Sequence, residues 1–237
     1  MKRCNILHCG GWWLSALLLL WLAPAAKAES YFGAHYGVGV STIYFKPHQN
    51  ETWRLVPYNA GLVYRYFAER ETYTYVGLQV ELNYGTRRYR FSDIKDVWVD
   101  DGDGIGSTQK VDTASKKVIS QVIELPLIMQ IRLPITQNFK IYANGIFYAA
   151  YYLKNEEFFF NNITQQQETH RFNYSNLNNF DFGIGGGLGA GYLIGTVEIG
   201  FDVRFMMGIS EVFAQTIDRY ESLPQQLLLS LNITKKF

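Results

Sequence analysis

The chain has 237 residues, 22 Lys and Arg against 21 Asp and Glu, 48% hydrophobic side chains and 17 tyrosines. A net charge of +1 gives no basic surplus for a nucleic-acid partner, and both cysteines, Cys4 and Cys9, lie at the extreme N-terminus, which excludes a disulfide framework for the rest. Beyond the N-terminal region no apolar run approaches the roughly 20 residues of a spanning helix, so a secreted β-sandwich and an outer-membrane barrel are the two readings left.

Lys2 and Arg3 precede an apolar core, Trp12 to Leu22, and Ala26-Lys27-Ala28 supplies small residues for cleavage. This predicts a secretory signal peptide over residues 1–28, cleaved before Glu29, and one domain over 29–237. Neither cysteine follows the apolar core as a lipoprotein cysteine would. Without the leader the balance is 19 basic against 21 acidic residues, a net of −2.

Tyr31 to Phe45 alternates Ala34, Tyr36, Val38, Val40, Thr42 and Tyr44 with Gly33, His35, Gly37, Gly39 and Ser41. Period two means a strand. Tyr58 to Phe67 places Leu62, Tyr64 and Tyr66 outward and Asn59, Gly61, Val63 and Arg65 inward. A third strand, Thr72 to Phe91, sets Val76, Leu78, Val80 and Leu82 against Gly77, Gln79, Glu81 and Asn83. The fourth, Lys116 to Pro134, sets Ile123, Leu125, Leu127 and Met129 against Ser120, Glu124, Gln130 and Arg132. In the fifth, Phe139 to Lys154, the face bearing Tyr142, Asn144, Ile146 and Tyr148 is less polar than its counterparts. A hairpin from Asn179 to Gly208 follows, its first arm carrying Gly183, Gly185, Gly187, Gly189 and Gly191 on one face. Its second arm sets Val197, Ile199, Phe201 and Val203 against Glu198, Gly200, Asp202 and Arg204. Gln225 to Phe237 closes the chain with Leu227, Leu229, Leu231 and Ile233 in register.

The expectation is an all-β chain, an eight-stranded antiparallel up-and-down transmembrane β-barrel. Connections are long after strands one, three, five and seven (46–53, 92–115, 155–176, 209–223) and short between them. Short periplasmic turns and longer extracellular loops are the asymmetry of outer-membrane barrels; a sandwich has no reason to sort its loops so. The polar face is too glycine-rich for a solvated one, whereas the interior of an eight-stranded barrel is only just wide enough for side chains.

The segments ELPLIMQIRLP (Glu124 to Pro134), FKIYANGIFYAAYYL (Phe139 to Leu153), NNFDFGIGGGLGAGYLIGTVEIGFDVRFMMGIS (Asn178 to Ser210) and the closing LLLSLNITKKF resemble the PorT-type outer-membrane β-barrel family of Gram-negative bacteria. The resemblance covers residues 31–237. It implies an eight-stranded, porin-like barrel among outer-membrane lipids, with Phe237 part of a signal read by the barrel-assembly machinery. It implies no shared activity, since one branch is linked to protein secretion across the outer membrane and most members have no assigned role.

Arg65, Gln79, Glu81, Glu124, Gln130, Arg132, Glu198, Asp202 and Arg204 all project inward in this register. They read as a mutually satisfied structural network rather than an ion path, because unpaired buried charge costs several kcal/mol. Asp100-Asp101-Gly102-Asp103-Gly104 has oxygen donors at calcium-like spacing but lacks the closing Glu of an EF-hand, which favours a plain acidic turn. Asn50, Asn162 and Asn173 head glycosylation triplets that a bacterial surface protein gives no reason to use. Phe158, Phe159 and Phe160 in the third long loop read either as a partner-binding patch or as strand extensions that cross-pair. Of the histidines after the leader, His35, His48 and His170, none is tied to a serine and an acid by a motif. The expected function is therefore non-enzymatic, with no cofactor or metal: a structural or surface-interaction role through the long loops, toward an extracellular protein partner. The alternative is an accessory of an outer-membrane secretion apparatus, and a lipid-modifying barrel enzyme is a weaker third reading.

Overall fold

In the computed structural model of the chain, the residues described are 28–46, 50–68, 75–93, 96–99, 107–110, 114–161, 166–171, 178–211 and 221–237. The expected leader, apart from its last residue Ala28, and the Asp100 to Gly104 motif lie outside them. Eight long strands carry the fold: β1 (Ala28–Lys46), β2 (Arg54–Ala68), β3 (Tyr75–Asp93), β4 (Ala114–Pro134), β5 (Phe139–Asn161), β6 (Phe180–Ile194), β7 (Val197–Gly208) and β8 (Glu221–Lys236). Each pairs antiparallel with its neighbours in sequence, and β8 pairs back onto β1 from Tyr31↔Lys236 to Lys46↔Glu221. The ladder therefore closes on itself, leaving these strands no free edge.

Alternation decides which side each residue faces. Along β7, Ile199, Phe201, Val203 and Phe205 are exposed while Glu198, Asp202, Arg204 and Met206 are buried. β8 repeats the pattern with Leu227, Leu229, Leu231 and Ile233 outside and Leu228, Ser230, Asn232 and Thr234 inside. β5 does too, with Tyr142, Asn144, Ile146, Tyr148, Ala150 and Tyr152 inward. An apolar outer face around a polar interior inverts the plan of a soluble protein, as lipid surroundings require.

The strand ends sort by connection length. Residues 135–138 join β4 to β5 in a tight turn closed by Ile135 N to Phe139 O at 2.9 Å. Gly195-Thr196 alone joins β6 to β7, with Gly195 at φ 62°, a left-handed value that a two-residue hairpin needs and glycine adopts without strain. The long connections all fall at the other end. Four short strands lie there: Asn50–Thr52 on β3, Gln166–Arg171 on β5, and Asp96–Val99 paired with Ser107–Lys110 as a separate ribbon.

Several expected boundaries move. β2 starts at Arg54, carried past Pro57 by a register shift opposite Gly37 and Gly39, so that Val56 and Asn59 both face inward. Thr42, outward by parity, is buried. β5 continues through the expected loop to Asn161, pairing Phe158, Phe159 and Phe160 with Lys117, Lys116 and Ser115 of β4. The three phenylalanines are thus in a strand, not a loop. Beyond the membrane both faces of a sheet are wetted, so hydrophobic alternation no longer marks where such a strand ends.

Candidate functional site

Every interior residue expected from alternation is buried: Arg65, Gln79, Glu81, Glu124, Gln130, Arg132, Glu198, Asp202 and Arg204. They form a column of linked pairs. At the short-turn end, Glu198 is shared by two arginines: Arg132 Nη1 and Nη2 donate to its two oxygens at 2.9 and 2.8 Å, and Arg65 Nη1 donates to Oε1 at 2.9 Å. The Nε atoms of the same arginines are taken by Gln79 at 2.5 Å and Gln130 at 2.6 Å. The Arg132 guanidinium also lies 3.8 Å from the centroid of the Phe67 ring, a cation over an aromatic face.

One layer further in, Arg204 bridges Glu81, at 2.7 Å, and Asp202. Asn232 donates to Asp202 Oδ2 at 2.6 Å, and Asn59 donates to Glu124 Oε2 at 2.9 Å. His35 sits between those two amides, each ring nitrogen 3.1 Å from an Oδ1. Both amide NH2 groups are committed to carboxylates, so the imidazole links the two amide oxygens across the barrel.

The third layer joins Glu124 to two charged residues beyond the expected set, Arg87 and Asp181. Arg87, 2% exposed, donates to Glu124 Oε1 at 2.9 Å, to Asp181 Oδ2 at 2.5 Å and to Tyr152 Oη at 2.8 Å. Tyr148 Oη and Ser210 Oγ complete the shell of Asp181 at 3.0 and 2.8 Å. Parity pointed to both residues: Arg87 follows Gly85 on the inner face of β3, and Asp181 opens the glycine face of β6. Among the described residues the interior then holds four arginines and five carboxylates. Beyond Arg87, toward the long connections, the interior turns apolar with Ile43, Val56, Tyr89, Val118, Val122 and Tyr152.

Of the other expected features only His35 joins this column. His35 meets only asparagines among its hydrogen-bond partners here, while His170 lies on the short outer strand and His48 outside the described residues. Asn50 is in a short strand, and Asn162 and Asn173 are outside the described residues. Phe237 is exposed, its backbone N donating to Ser30 O at 2.9 Å. Among the described residues no cluster of His, Cys, Asp or Glu has the makings of a metal site.

A closed antiparallel barrel of eight strands, apolar outside and charged within, defines an integral membrane β-barrel of the bacterial outer membrane. The chain belongs to the outer membrane protein beta-barrel domain family, whose profile matches residues 25–214. That match is to the general barrel family and not to a PorT-type group. Among solved structures it is similar to Ail, the attachment invasion locus protein of Yersinia pestis, at 10% identity over 89% of this chain and 99% of that one, TM-score 0.38. It is also similar to OprG of Pseudomonas aeruginosa, at 10% identity over 89% of this chain and 95% of that one, TM-score 0.41. The outer membrane protease OmpT of Escherichia coli matches at 7% identity over 90% of this chain and 98% of that one, TM-score 0.39. Such distant likenesses share a fold and say nothing of activity. No curated protein matches the chain in sequence.

Proposed function

We propose that this outer-membrane barrel is a non-conducting, non-enzymatic surface protein that meets an extracellular partner through the structure built on its long connections. One observation carries the reading. β4 and β5 are 21 and 23 residues long, whereas a tilted strand crosses a membrane in about 9–11 residues. Their starting points at the short turns are level, so the excess all stands on the long-connection side. There Asn50–Thr52, β3, β4, β5 and Gln166–Arg171 form one continuous sheet. Charge pairs and apolar side chains occupy the interior, which supports a structural role for the column rather than a conduit.

Export by a leader cleaved before Glu29 and an assembly signal at Phe237 belong to the same proposal, with outer-membrane lipids and the assembly machinery as its constitutive partners. The test is cysteine placed at Thr108 or Thr169 and labelled in intact cells with a membrane-impermeant reagent. Labelling there, with none at Thr136 or Thr196 in the short turns, is the expected result; the reverse pattern overturns the orientation and the surface role. The PorT-type resemblance supports the alternative, an accessory of a secretion apparatus, for which crosslinks from the short turns to envelope proteins are the discriminating result.

A further inference from the structure

On the outer face of β3, β4 and β5, the residues aligned by pairing rise in rows from the membrane toward the long connections. Tyr84, Ile123 and Tyr151 form one row, at the height where interfacial aromatic rings belong. Above it come Thr86, Gln121 and Lys154, then Arg88, Ile119 and Glu156, then Arg90, Lys117 and Phe158. Four cations thus stand directly above the aromatic row on three adjacent strands. Lys154 is 2.6 Å from Glu156, and Lys117 lies 5.5 Å from the Phe158 ring centroid.

The far side of the barrel differs. At the same end of β6, β7 and β8 the outward residues are Phe182, Ile184, Phe205, Met207, Gln225 and Leu227, and among the described residues that sector carries no cation. A positive sector concentrated on β3 to β5 and lacking on β6 to β8 is not explained by solubility.

A second feature falls in the same sector. Thr86 is 5% exposed and its Oγ1 has no hydrogen-bond partner; the Nε of Arg88, two residues along the same column, is likewise shielded and unpartnered. Buried donors without partners are costly. Both point to an acceptor supplied from outside the chain. An anionic oxygen cluster fits, because a guanidinium and a hydroxyl both donate to it and the neighbouring lysine adds charge.

We propose that the outer rim of β3 to β5 is a docking site for the phosphate groups of an anionic glycolipid in the outer leaflet, with Arg88, Thr86 and Lys117 as its principal contacts. The lipid source follows from position: the site opens sideways, one to three rows above the aromatic girdle, where headgroups lie. The inference rests on the orientation proposed above, but its test does not. Protein folded in zwitterionic detergent, its barrel verified by a heat-shifted gel band, is titrated with diphosphoryl lipid A and with fully dephosphorylated lipid A, and bound lipid is counted by native mass spectrometry. The expected result is at least tenfold tighter binding of the diphosphoryl form, lost in the double variant Arg88→Gln/Lys117→Gln and kept in Lys140→Gln/Lys235→Gln at the opposite rim. Millimolar inorganic phosphate leaves binding unchanged. Equal binding of the two lipids, retention by the Arg88/Lys117 variant, equal loss in the opposite-rim variant, or displacement by inorganic phosphate each overturns it. Failure here leaves the labelling pattern in cells untouched, so the two proposals fail separately.

Discussion

Glu198 shows why single residues matter inside this barrel. Its two oxygens neutralise both Arg65 and Arg132, all three side chains being almost wholly buried. Glu198→Gln keeps the shape but leaves two guanidinium groups around a neutral amide, and breaking a buried pair this way costs about 3–5 kcal/mol. The expected outcome is a lower urea midpoint for the heat-shifted gel band in lipid vesicles. His35→Leu is expected to destabilise through a different term: the Oδ1 atoms of Asn59 and Asn232 lose their partner, at about 1–3 kcal/mol for each orphaned group. The same midpoint measurement checks it, and Leu fills the space well enough to keep the loss distinct from cavity formation. At this scale the inward charges on β4 and β7 are legible in the sequence, because each sits between outward aliphatic residues. Arg87 is legible only by carrying the parity of β3 past Gly85, since Arg87, Arg88 and Arg90 form a cationic run on both parities. Asp181 is legible as the first position of the glycine face of β6, but alternation does not reveal that its partner is Arg87.

The glycine-rich face of β6 reads in the sequence as a response to crowding, and the structure refines that element by element. Gly189 lies opposite Tyr142 of β5, and a Cβ added there would sit 2.3 Å from the ring. Gly183 does the same for Tyr148, at 2.4 Å. The glycines leave room for neighbouring rings to lie flat on the strand, which covers the bare backbone and fixes register, much as aromatic residues rescue glycine in designed sheets. Gly145 makes the contrast within the same pair of strands, because it faces outward and a Cβ there meets nothing within 4 Å. Gly189→Ala is therefore expected to destabilise by about 1–3 kcal/mol, the usual cost of overpacking. Gly145→Ala is expected to be neutral or to stabilise by about 0.4–1 kcal/mol through the unfolded chain. Urea midpoints of the two variants, measured side by side, check both signs. Strand extent is the less legible part of the same element: the alternation that marks β5 in the membrane fades at Lys154, yet the strand runs on to Asn161 by pairing with β4.

For the molecule as a whole, the interior is arranged as barriers in series, one at each end and the Arg204 layer between them. Near the short turns, Arg65, Arg132 and Glu198 close the section together with Tyr31, Phe67 and Tyr142. Toward the long connections, Ile43, Val56, Tyr89, Val118, Val122 and Tyr152 form an apolar layer above Arg87. An ion has to shed its hydration to pass either one, and the charged groups it would meet are already paired with one another. Barriers in series do not act additively, since the pathway conducts only when the last of them is breached. Protein in planar bilayers is accordingly expected to show no unitary currents, and so are Glu198→Ala and Tyr152→Ala separately, each opening one section while the other stays closed. In preparations whose gel band still shifts on heating, combining Glu198→Ala and Arg65→Ala with Tyr152→Ala and Tyr89→Ala is expected still to give no current steps, because the layer of Arg204, Glu81 and Asp202 between them is untouched. Currents from the unaltered protein, or from the Tyr152 change alone, would show that the ion-paired end is open to water and would return the charged column to the status of a conduit.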